Sequence, residues 1–283
     1  MSKKISLEPT AAMVMHMAEP LRKNSIVFDN FLSKIDISSA DTYINLLKSK
    51  NLMVLAQEIT CNRKFKIKYE LEQFITKNQN HNINLFSLAA GKSPVFLEIF
   101  NDNISENIKF YELDISPFDE KILIYKNIVP NYEKFFEFIE VDLVSDQFLE
   151  KINNLNIYND KNIFVMEGLT HYISSEAIIK ILKNIKEISK ESHILIEYAP
   201  PIDSIQKDLI TPVREMFTLM ENHFFSQGMF KYSYTDFEDF FQQVGGLAIK
   251  KFIMKLMEKE RTNKNEFFDS TLSGPVEIME GVI

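Results

Sequence analysis

The spacing of hydrophobic positions along the chain changes near residue 80. Before it, apolar side chains recur at helical spacing, and the pattern predicts helices over residues 41–59, with Asp41 as N-cap, and over 65–75. After it, short apolar runs alternate with longer amphipathic stretches, the clearest of which is a helix over 174–189. The apolar runs predict strands at residues 83–90, 108–114, 135–142, 162–167, 193–198 and 247–256.

Strands that alternate with helices are typical of a parallel sheet with crossover helices. We therefore predict an α/β fold with a doubly wound, mainly parallel sheet over residues 81–283, preceded by an N-terminal helical cap over 1–80. An aromatic-rich stretch follows the fifth strand. We expect a substrate-cap insertion there, at 200–234, whose aromatic side chains either line a pocket or pack a cap helix.

Composition narrows the class of protein. The 283 residues are 45% hydrophobic and 25% charged, as in a soluble globular protein, and 40 acidic against 32 basic residues give a net charge of −8. We therefore expect no nucleic-acid partner, because phosphate binding needs a basic surface. The single cysteine, Cys61, can form neither an intrachain disulfide nor a thiolate metal cage. Without a recognisable targeting segment or a long apolar run, we expect a cytoplasmic protein with no membrane partner.

The first strand of the sheet ends in a turn of small residues. Its sequence is Leu88-Ala89-Ala90-Gly91-Lys92-Ser93-Pro94. A glycine here lets the backbone approach a ligand, and ligands of such sheets bind at the carboxyl ends of the strands. The turn is neither a G-x-G-x-x-G motif nor a P-loop. The alternative is a plain strand-to-helix turn that needs one glycine.

Acidic residues follow the next three strands. Asp114 lies 23 residues after Gly91, close to the spacing of the acid that binds a nucleotide ribose, although it could instead cap the next helix. Asp142 and Glu167 end the third and fourth strands. Together the three acids predict a polar rim that suits an adenosine carrying a positively charged substituent.

Residues 167–176 begin with Glu167-Gly168-Leu169, have Tyr172 at the sixth position and end at Glu176. This segment resembles the E-G-L-x-x-Y-[LI]-x-x-E signature of the leucine carboxyl methyltransferase family. That family is a branch of the class I S-adenosylmethionine-dependent methyltransferases and includes bacterial O-methyltransferases of secondary metabolism. The resemblance covers roughly residues 10–200. Its other parts are the N-terminal segment 10–32, Arg63, the strand end 111–114 and the Asp142-Leu143 pair.

One part of the chain departs from the family pattern. The family usually reads L-G-[AC]-G-L-D-[TS] after the first strand, whereas here Ala89 replaces the first glycine and Ser93 replaces the acid. An alanine at position 89 costs little if its φ is negative and more if its φ is positive.

The resemblance implies an S-adenosylmethionine cofactor and a class I, Rossmann-like fold. Asp114 would hold the ribose, Asp142 and Leu143 the adenine, and the turn at Gly91 the methionine portion. The full cofactor set that it implies is Arg63, Ala89, Gly91, Asp114, Asp142, Leu143 and Glu167.

Arg63 and Glu167 would meet the charged amino-acid end of the cofactor. A guanidinium can pair with the methionine carboxylate in a bidentate manner, although Arg63 could also be a solvated charge within Arg63-Lys64-Phe65-Lys66. Glu167 would lie near the cofactor's amino group.

His171 and Tyr172 follow the fourth strand, where the methyl acceptor should bind, and are the catalytic candidates. An imidazole is suited to removing a proton from a hydroxyl acceptor, whereas a carboxylate acceptor needs no base. The alternative is that His171 has no chemical role, and Tyr172 more readily packs or orients than acts as a base. The histidines show no spacing that predicts a metal site.

The sequence therefore predicts an S-adenosylmethionine-dependent O-methyltransferase. Its acceptor would be a carboxylate or hydroxyl of a small molecule, such as a secondary metabolite, or of a carrier-bound group. The alternatives are a non-catalytic cofactor-binding protein on the same fold and a nicotinamide-dependent oxidoreductase. The identity of the acceptor and the oligomeric state are left open.

Overall fold

The structure, a computed structural model, describes residues 4–102, 105–225 and 228–283. The strands in this part of the chain are β1 Ile5–Ser6, β2 Ile35–Asp36, β3 Ile83–Leu88, β4 Ile108–Asp114, β5 Phe136–Glu140, β6 Lys161–Met166, β7 Ser192–Tyr198, β8 Leu247–Phe252 and β9 Glu277–Val282. The α-helices are α1 Pro9–Met17, α2 Ile26–Ser33, α3 Asp41–Ser49, α4 Met53–Lys77, α5 Val95–Asp102, α6 Asp119–Ile128, α7 Asp146–Asn153, α8 Ser175–Ile188, α9 Ile210–Phe224, α10 Tyr234–Gln243 and α11 Met254–Thr262.

A seven-stranded sheet with the order β5-β4-β3-β6-β7-β9-β8 forms the centre of the protein. The five strands from β5 to β7 are parallel, whereas β9 is antiparallel to both of its neighbours. The order reverses between β3 and β6, which is the switch point where ligands of doubly wound sheets bind. The predicted α/β fold with a doubly wound, mainly parallel sheet is confirmed.

Both faces of this sheet are covered. Along β3, Ile83 and Leu85 belong to one buried hydrophobic cluster, while Phe86 and Leu88 belong to another on the opposite face. Burial on both faces explains why the parallel strands are continuous apolar runs rather than alternating ones.

Aromatic rings pack across neighbouring strands and account for part of the high phenylalanine content. Phe86 is in register with Tyr111 and Phe164, and its ring stacks on theirs at centroid distances of 4.6 and 4.4 Å. On the other face, Phe110 stacks on Phe136 at 4.9 Å. Each such pair contributes about 0.5–1.5 kcal/mol beyond the area that it buries.

The helices before β3 differ from the predicted ones. Residues 41–59 are not one helix, because Asn51 adopts a left-handed φ of 58° and separates α3 from α4. Asp41 is the first residue of α3 rather than its N-cap, which is Ala40. The predicted helix at 65–75 is part of α4, which continues from residue 53 because no glycine or proline interrupts it before residue 77.

Two elements near the C-terminus also differ from the prediction. The strand predicted at 247–256 ends at Phe252, and the apolar residues beyond it start α11, which buries Met254 and Met257 and packs against α4. The strand β9 was not predicted, because Glu277 and Glu280 interrupt its apolar run. Glu277 is buried and accepts a hydrogen bond from the hydroxyl of Tyr198 at 2.6 Å.

The N-terminal helices determine where a ligand can enter. The helix α1 packs on α4, and residues of both face the carboxyl edge of the sheet at β3 and β6. The helix α9, in the segment predicted as a substrate cap, contacts α3 and faces the same space. Within the described ranges, none of the helices combines the length and apolar character needed to cross a membrane.

Gly281 in β9 provides a test of the packing between the sheet and α10. A Cβ atom at this position would lie 2.2 Å from a ring atom of the buried Phe241. We expect Gly281→Ala to lower the free energy of unfolding by about 2 kcal/mol because the ring must be displaced, as measured by urea denaturation. The double variant with Phe241→Leu should recover part of this loss, and an unchanged stability in Gly281→Ala alone would contradict the packing.

Candidate functional site

A groove follows the carboxyl edge of the sheet from β4 past β3 to β6. Its floor consists of the turn after β3, the end of β4 and the segment after β6, and α1 contributes Thr10 and Ala11 from the opposite side. This is the position that the strand order assigns to a ligand.

The turn after β3 has an unusual backbone. Ala89 adopts a φ of +56° and Gly91 a φ of +47°, both in the left-handed region. This is the costly case for an alanine, at roughly 1–2 kcal/mol. The turn is held to the neighbouring strand by a hydrogen bond from the Ala90 backbone N–H to the Leu113 carbonyl oxygen at 2.8 Å.

Asp114, at the end of β4, connects this strand to the turn. One of its carboxylate oxygens accepts a hydrogen bond from the Gly91 N–H at 2.8 Å, and the other accepts one from the Ser116 N–H at 2.8 Å. Asp114 is not a helix cap, because α6 begins at Asp119 after Phe118. Each carboxylate oxygen keeps a further lone pair for a ligand.

Lys121 supports the same turn from below and was not predicted from the sequence. Its side chain is 1% exposed, forms an ion pair with Glu112 and donates to the Gly91 carbonyl oxygen at 3.1 Å. Burial lowers the pKa of Lys121, and the negative charge of Glu112 only partly offsets this effect. Burial raises the pKa of Glu112, which also accepts a hydrogen bond from Tyr125 at 2.6 Å.

Two charged side chains of α4, Arg63 and Lys64, point into the groove rather than into solvent. Arg63 is 8% exposed, forms an ion pair with Glu197 of β7 and lies 3.9 Å from Glu167. Lys64 donates to Glu167 at 2.7 Å and lies 3.4 Å from the hydroxyl of Ser93. The alternative interpretation of Arg63 as a solvated charge is therefore wrong.

Glu197 is the second residue that sequence reasoning missed. It is 1% exposed, and its carboxylate lies 3.7 Å from Nε2 of His171. Burial alone would raise the pKa of Glu197, but the charge of Arg63 and the nearby His171 lower it to about 2. Glu197 is therefore ionised at neutral pH. An acid within the otherwise apolar strand Ile194-Leu195-Ile196 is the signal that could have identified it.

A second cavity, which we call the acceptor cavity, lies beside the groove. The groove and the cavity share residues at their junction, among them Thr10, Arg63, Gly168 and Tyr172. The wall of the acceptor cavity is mostly apolar, with Met13, Val14, Met17, Ala56, Ile59, Met216, Phe217, Met220, Phe225, Met229 and Val276. Its polar lining residues are Thr10, Thr60, Arg63, His171, Tyr172 and Glu197.

The two catalytic candidates lie at this cavity in different environments. His171 is buried, with 8% of its surface exposed, and its Nδ1 has no hydrogen-bond partner among the described residues. Tyr172 is 49% exposed, and its ring stacks on Phe225 at a centroid distance of 4.7 Å.

The structure brings most of the predicted site residues together. Those that line the groove are Arg63, Ala89, Gly91, Asp114, Glu167 and Tyr172. Asp142 and Leu143 follow β5 and line neither the groove nor the acceptor cavity. Asp142 accepts a hydrogen bond from the Val144 N–H at 3.0 Å. No group of three or more His, Cys, Asp or Glu side chains within the described ranges is arranged to hold a metal ion.

Because Ala89 adopts a positive φ, we expect its replacement by glycine to stabilise the protein. Ala89→Gly should raise the free energy of unfolding by about 0.5–1 kcal/mol, because relief of the positive φ exceeds the entropy that glycine adds to the unfolded chain. The reciprocal control is Gly91→Ala, whose Cβ would meet no atom within 4 Å and should lower the stability through strain alone. Urea denaturation measures both, and a lower stability of Ala89→Gly would contradict this account.

The ionised Glu197 predicts a pH dependence of stability. Because its pKa falls from 4.5 unfolded to about 2 folded, it contributes stability above pH 4.5 that is lost as the pH falls towards 2. The full effect is about 3 kcal/mol, of which about 1 kcal/mol is lost by pH 3.5. Urea denaturation at pH 6 and pH 3.5 should show this extra loss in the wild type and not in Glu197→Gln. Equal losses of stability in the wild type and in Glu197→Gln between pH 6 and pH 3.5 would contradict this account.

No protein-family model and no curated protein matches the chain. Solved structures of methyltransferases do share its fold. A proposed methyltransferase from Thermobifida fusca YX has 12% sequence identity over 97% of this chain and 94% of its own, with a TM-score of 0.63.

Two further structures illustrate this likeness. The magnesium protoporphyrin IX methyltransferase of Synechocystis PCC 6803, solved with bound S-adenosylmethionine, has 9% identity over 81% of this chain and 83% of its own, with a TM-score of 0.50. Mitomycin 7-O-methyltransferase has 10% identity over 87% of this chain and 62% of its own, also with a TM-score of 0.50. At these identities the likeness is one of fold, and the chain has the class I S-adenosylmethionine-dependent methyltransferase fold that its sequence predicts.

Proposed function

We propose that the protein is an S-adenosylmethionine-dependent O-methyltransferase that methylates a carboxylate or hydroxyl of a small-molecule or carrier-bound acceptor. The observation that carries this proposal is that the groove and the acceptor cavity adjoin each other. A polar, charged groove at the sheet switch point shares Gly168 and Tyr172 with an apolar cavity that His171 lines. This arrangement suits a charged cofactor next to a largely apolar acceptor.

The end of the groove at β4 fits a nucleoside. Asp114 lies at the position of a ribose-binding acid, and each of its oxygens can accept one more hydrogen bond. Ile115 and Phe118 provide apolar surface beside it. Contacts of Asp142 and Leu143 with the adenine remain a prediction from the resemblance.

The end of the groove at α4 fits the amino-acid portion of the cofactor. That portion carries one carboxylate and one ammonium group. Lys64 and Glu167 supply a positive and a negative charge 2.7 Å apart, and Arg63 lies 3.9 Å from Glu167. Ser93 lies beside Lys64 and Glu167, where the family pattern has an acid, and donates to Glu167 at 3.2 Å.

When bound, S-adenosylmethionine supplies an electrophilic methyl group. Methyl transfer is an in-line displacement, so the main task of the chain is to hold the two reactants in alignment. The turn at Ala89–Gly91 and the acids of the groove would fix one reactant, and the walls of the acceptor cavity the other. His171 would take the proton of a hydroxyl acceptor.

The nicotinamide alternative finds less support in the turn after β3. A dinucleotide needs free backbone N–H groups for its pyrophosphate. Here the Gly91 N–H is already bonded to Asp114, and Asp114 and Glu167 place negative charge beside it. The non-catalytic alternative was suggested by the alanine at position 89. The turn keeps its left-handed shape despite that alanine, which supports cofactor binding.

Isothermal titration calorimetry with S-adenosylmethionine and with its demethylated product tests the proposal. We expect both to bind the wild type. Asp114→Asn should weaken binding at least about 10-fold, because a hydrogen bond to a charged group contributes about 1.5–3 kcal/mol. The control is Asp146→Ala on α7, whose carboxylate lies outside the groove and is fully exposed.

Three outcomes separate the competing functions. Absence of binding at millimolar concentration rejects the proposal. Binding of a nicotinamide dinucleotide in place of the methyl donor favours the oxidoreductase. Binding of the methyl donor with no turnover across a panel of phenols and carboxylates favours the non-catalytic alternative.

A further inference from the structure

Among the described residues that line the acceptor cavity, none offers an unpaired cation to an anionic acceptor. Among its lining residues the charged side chains are Arg63 and Glu197, and these two form an ion pair with each other. Arg63 also lies 3.9 Å from Glu167, which is itself paired with Lys64 at 2.7 Å. Two positive and two negative charges therefore meet at the junction of groove and cavity, and their sum is zero.

This pairing persists at neutral pH. The lowered pKa of Glu197 keeps its carboxylate ionised, and the pKa of Arg63 is raised by Glu197 and Glu167 despite its burial. Both side chains are almost completely buried, at 8% and 1% exposed. Water therefore screens their attraction less than it would at the surface.

An acceptor's own charge would be buried without a partner in this cavity. A carboxylate would lose its hydration and find Arg63 already neutralised, and a protonated amine would find Glu197 already neutralised. An uncharged molecule has no such cost. The charge distribution therefore selects against ionised acceptors of either sign.

The walls favour a ring compound. Five methionines and two phenylalanines line the cavity, at positions 13, 17, 216, 220 and 229 and at positions 217 and 225. Thioethers adapt to the outline of a ligand and make favourable contacts with aromatic rings.

The imidazole of His171 is suited to accept the proton of a hydroxyl group on the acceptor. His171 lines the cavity, its Nε2 lies 3.7 Å from Glu197, and its Nδ1 has no partner among the described residues. A neutral hydroxyl acceptor needs such a base, whereas a carboxylate acceptor does not.

We infer that the acceptor is an uncharged, largely apolar ring compound with a hydroxyl group, a phenol, and that Glu197 sets this preference by neutralising Arg63. The inference rests on the proposed function and narrows its acceptor from a carboxylate or hydroxyl to a hydroxyl. In the transfer, a bond forms between the hydroxyl oxygen and the methyl carbon. The bond from that carbon to the cofactor sulfur breaks and leaves its electron pair on sulfur, and the hydroxyl proton passes to His171.

The test compares 2-naphthol with 2-naphthoate, which match in ring system and differ in charge at pH 7.5. Binding of each is measured by calorimetry to the wild type, with and without the demethylated cofactor. We expect 2-naphthol to bind at least 10-fold more tightly, and only 2-naphthol to yield a methylated product by mass spectrometry. This comparison requires no variant and is independent of any folding defect.

A pair of matched variants tests the part played by Glu197. Glu197→Gln keeps the shape of the side chain and leaves Arg63 unneutralised, so the preference for 2-naphthol over 2-naphthoate should fall at least 10-fold. The control is Glu277→Gln, which alters another buried glutamate, on β9, that does not line the cavity and should leave the preference unchanged.

The outcomes separate this inference from the proposed function. Binding of 2-naphthoate as tight as that of 2-naphthol, or formation of its methyl ester, overturns the inference and leaves the methyltransferase proposal standing. A preference for 2-naphthol without any binding of S-adenosylmethionine supports the charge selection and rejects the proposed reaction. An unchanged preference in Glu197→Gln overturns the role of Glu197.

Discussion

The ion pair between Arg63 and Glu197 is the interaction on which the arrangement of the site depends. It joins α4 of the N-terminal region to β7 of the sheet, at the point where the groove opens into the acceptor cavity. Neither charge could be buried alone without a large loss of stability. Because the two neutralise each other, an apolar cavity can lie directly beside a charged groove.

The same rule extends to the other buried charges of the site. Lys64 is paired with Glu167, and Lys121 with Glu112, so each lysine that reaches the groove has a carboxylate within hydrogen-bonding distance. Buried pairs of this kind contribute little net stability. Their effect is to fix the positions of the charged groups, because moving one group away from its partner would leave a buried charge unpaired. The geometry of the groove is therefore fixed by electrostatics as well as by packing.

The sequence predicted those features that depend on local pattern and chain order. Apolar runs that end in a small-residue turn or an acid identified β3, β4 and β6, and the carboxyl ends of these strands do meet at one groove. Partners that are distant in sequence could not be predicted in this way. Glu197 follows Arg63 by 134 residues, and its role depends on how α4 lies over β7. The break at Asn51 and the strand β9, with its buried Glu277, also went unrecognised, because tertiary contacts override local propensity there.

In the turn after β3, tertiary contacts stabilise a left-handed backbone conformation at Ala89 that an alanine does not favour by itself. An alanine with positive φ persists only where its surroundings determine the backbone. At Ala89–Gly91 those surroundings include hydrogen bonds from Ala90 to the β4 backbone, from Gly91 to Asp114, and from Lys121 to Gly91. The conformation of the turn is therefore determined by its contacts with β4 and with the buried Lys121. A missing glycine costs stability here, and the turn nevertheless keeps its place at the edge of the groove.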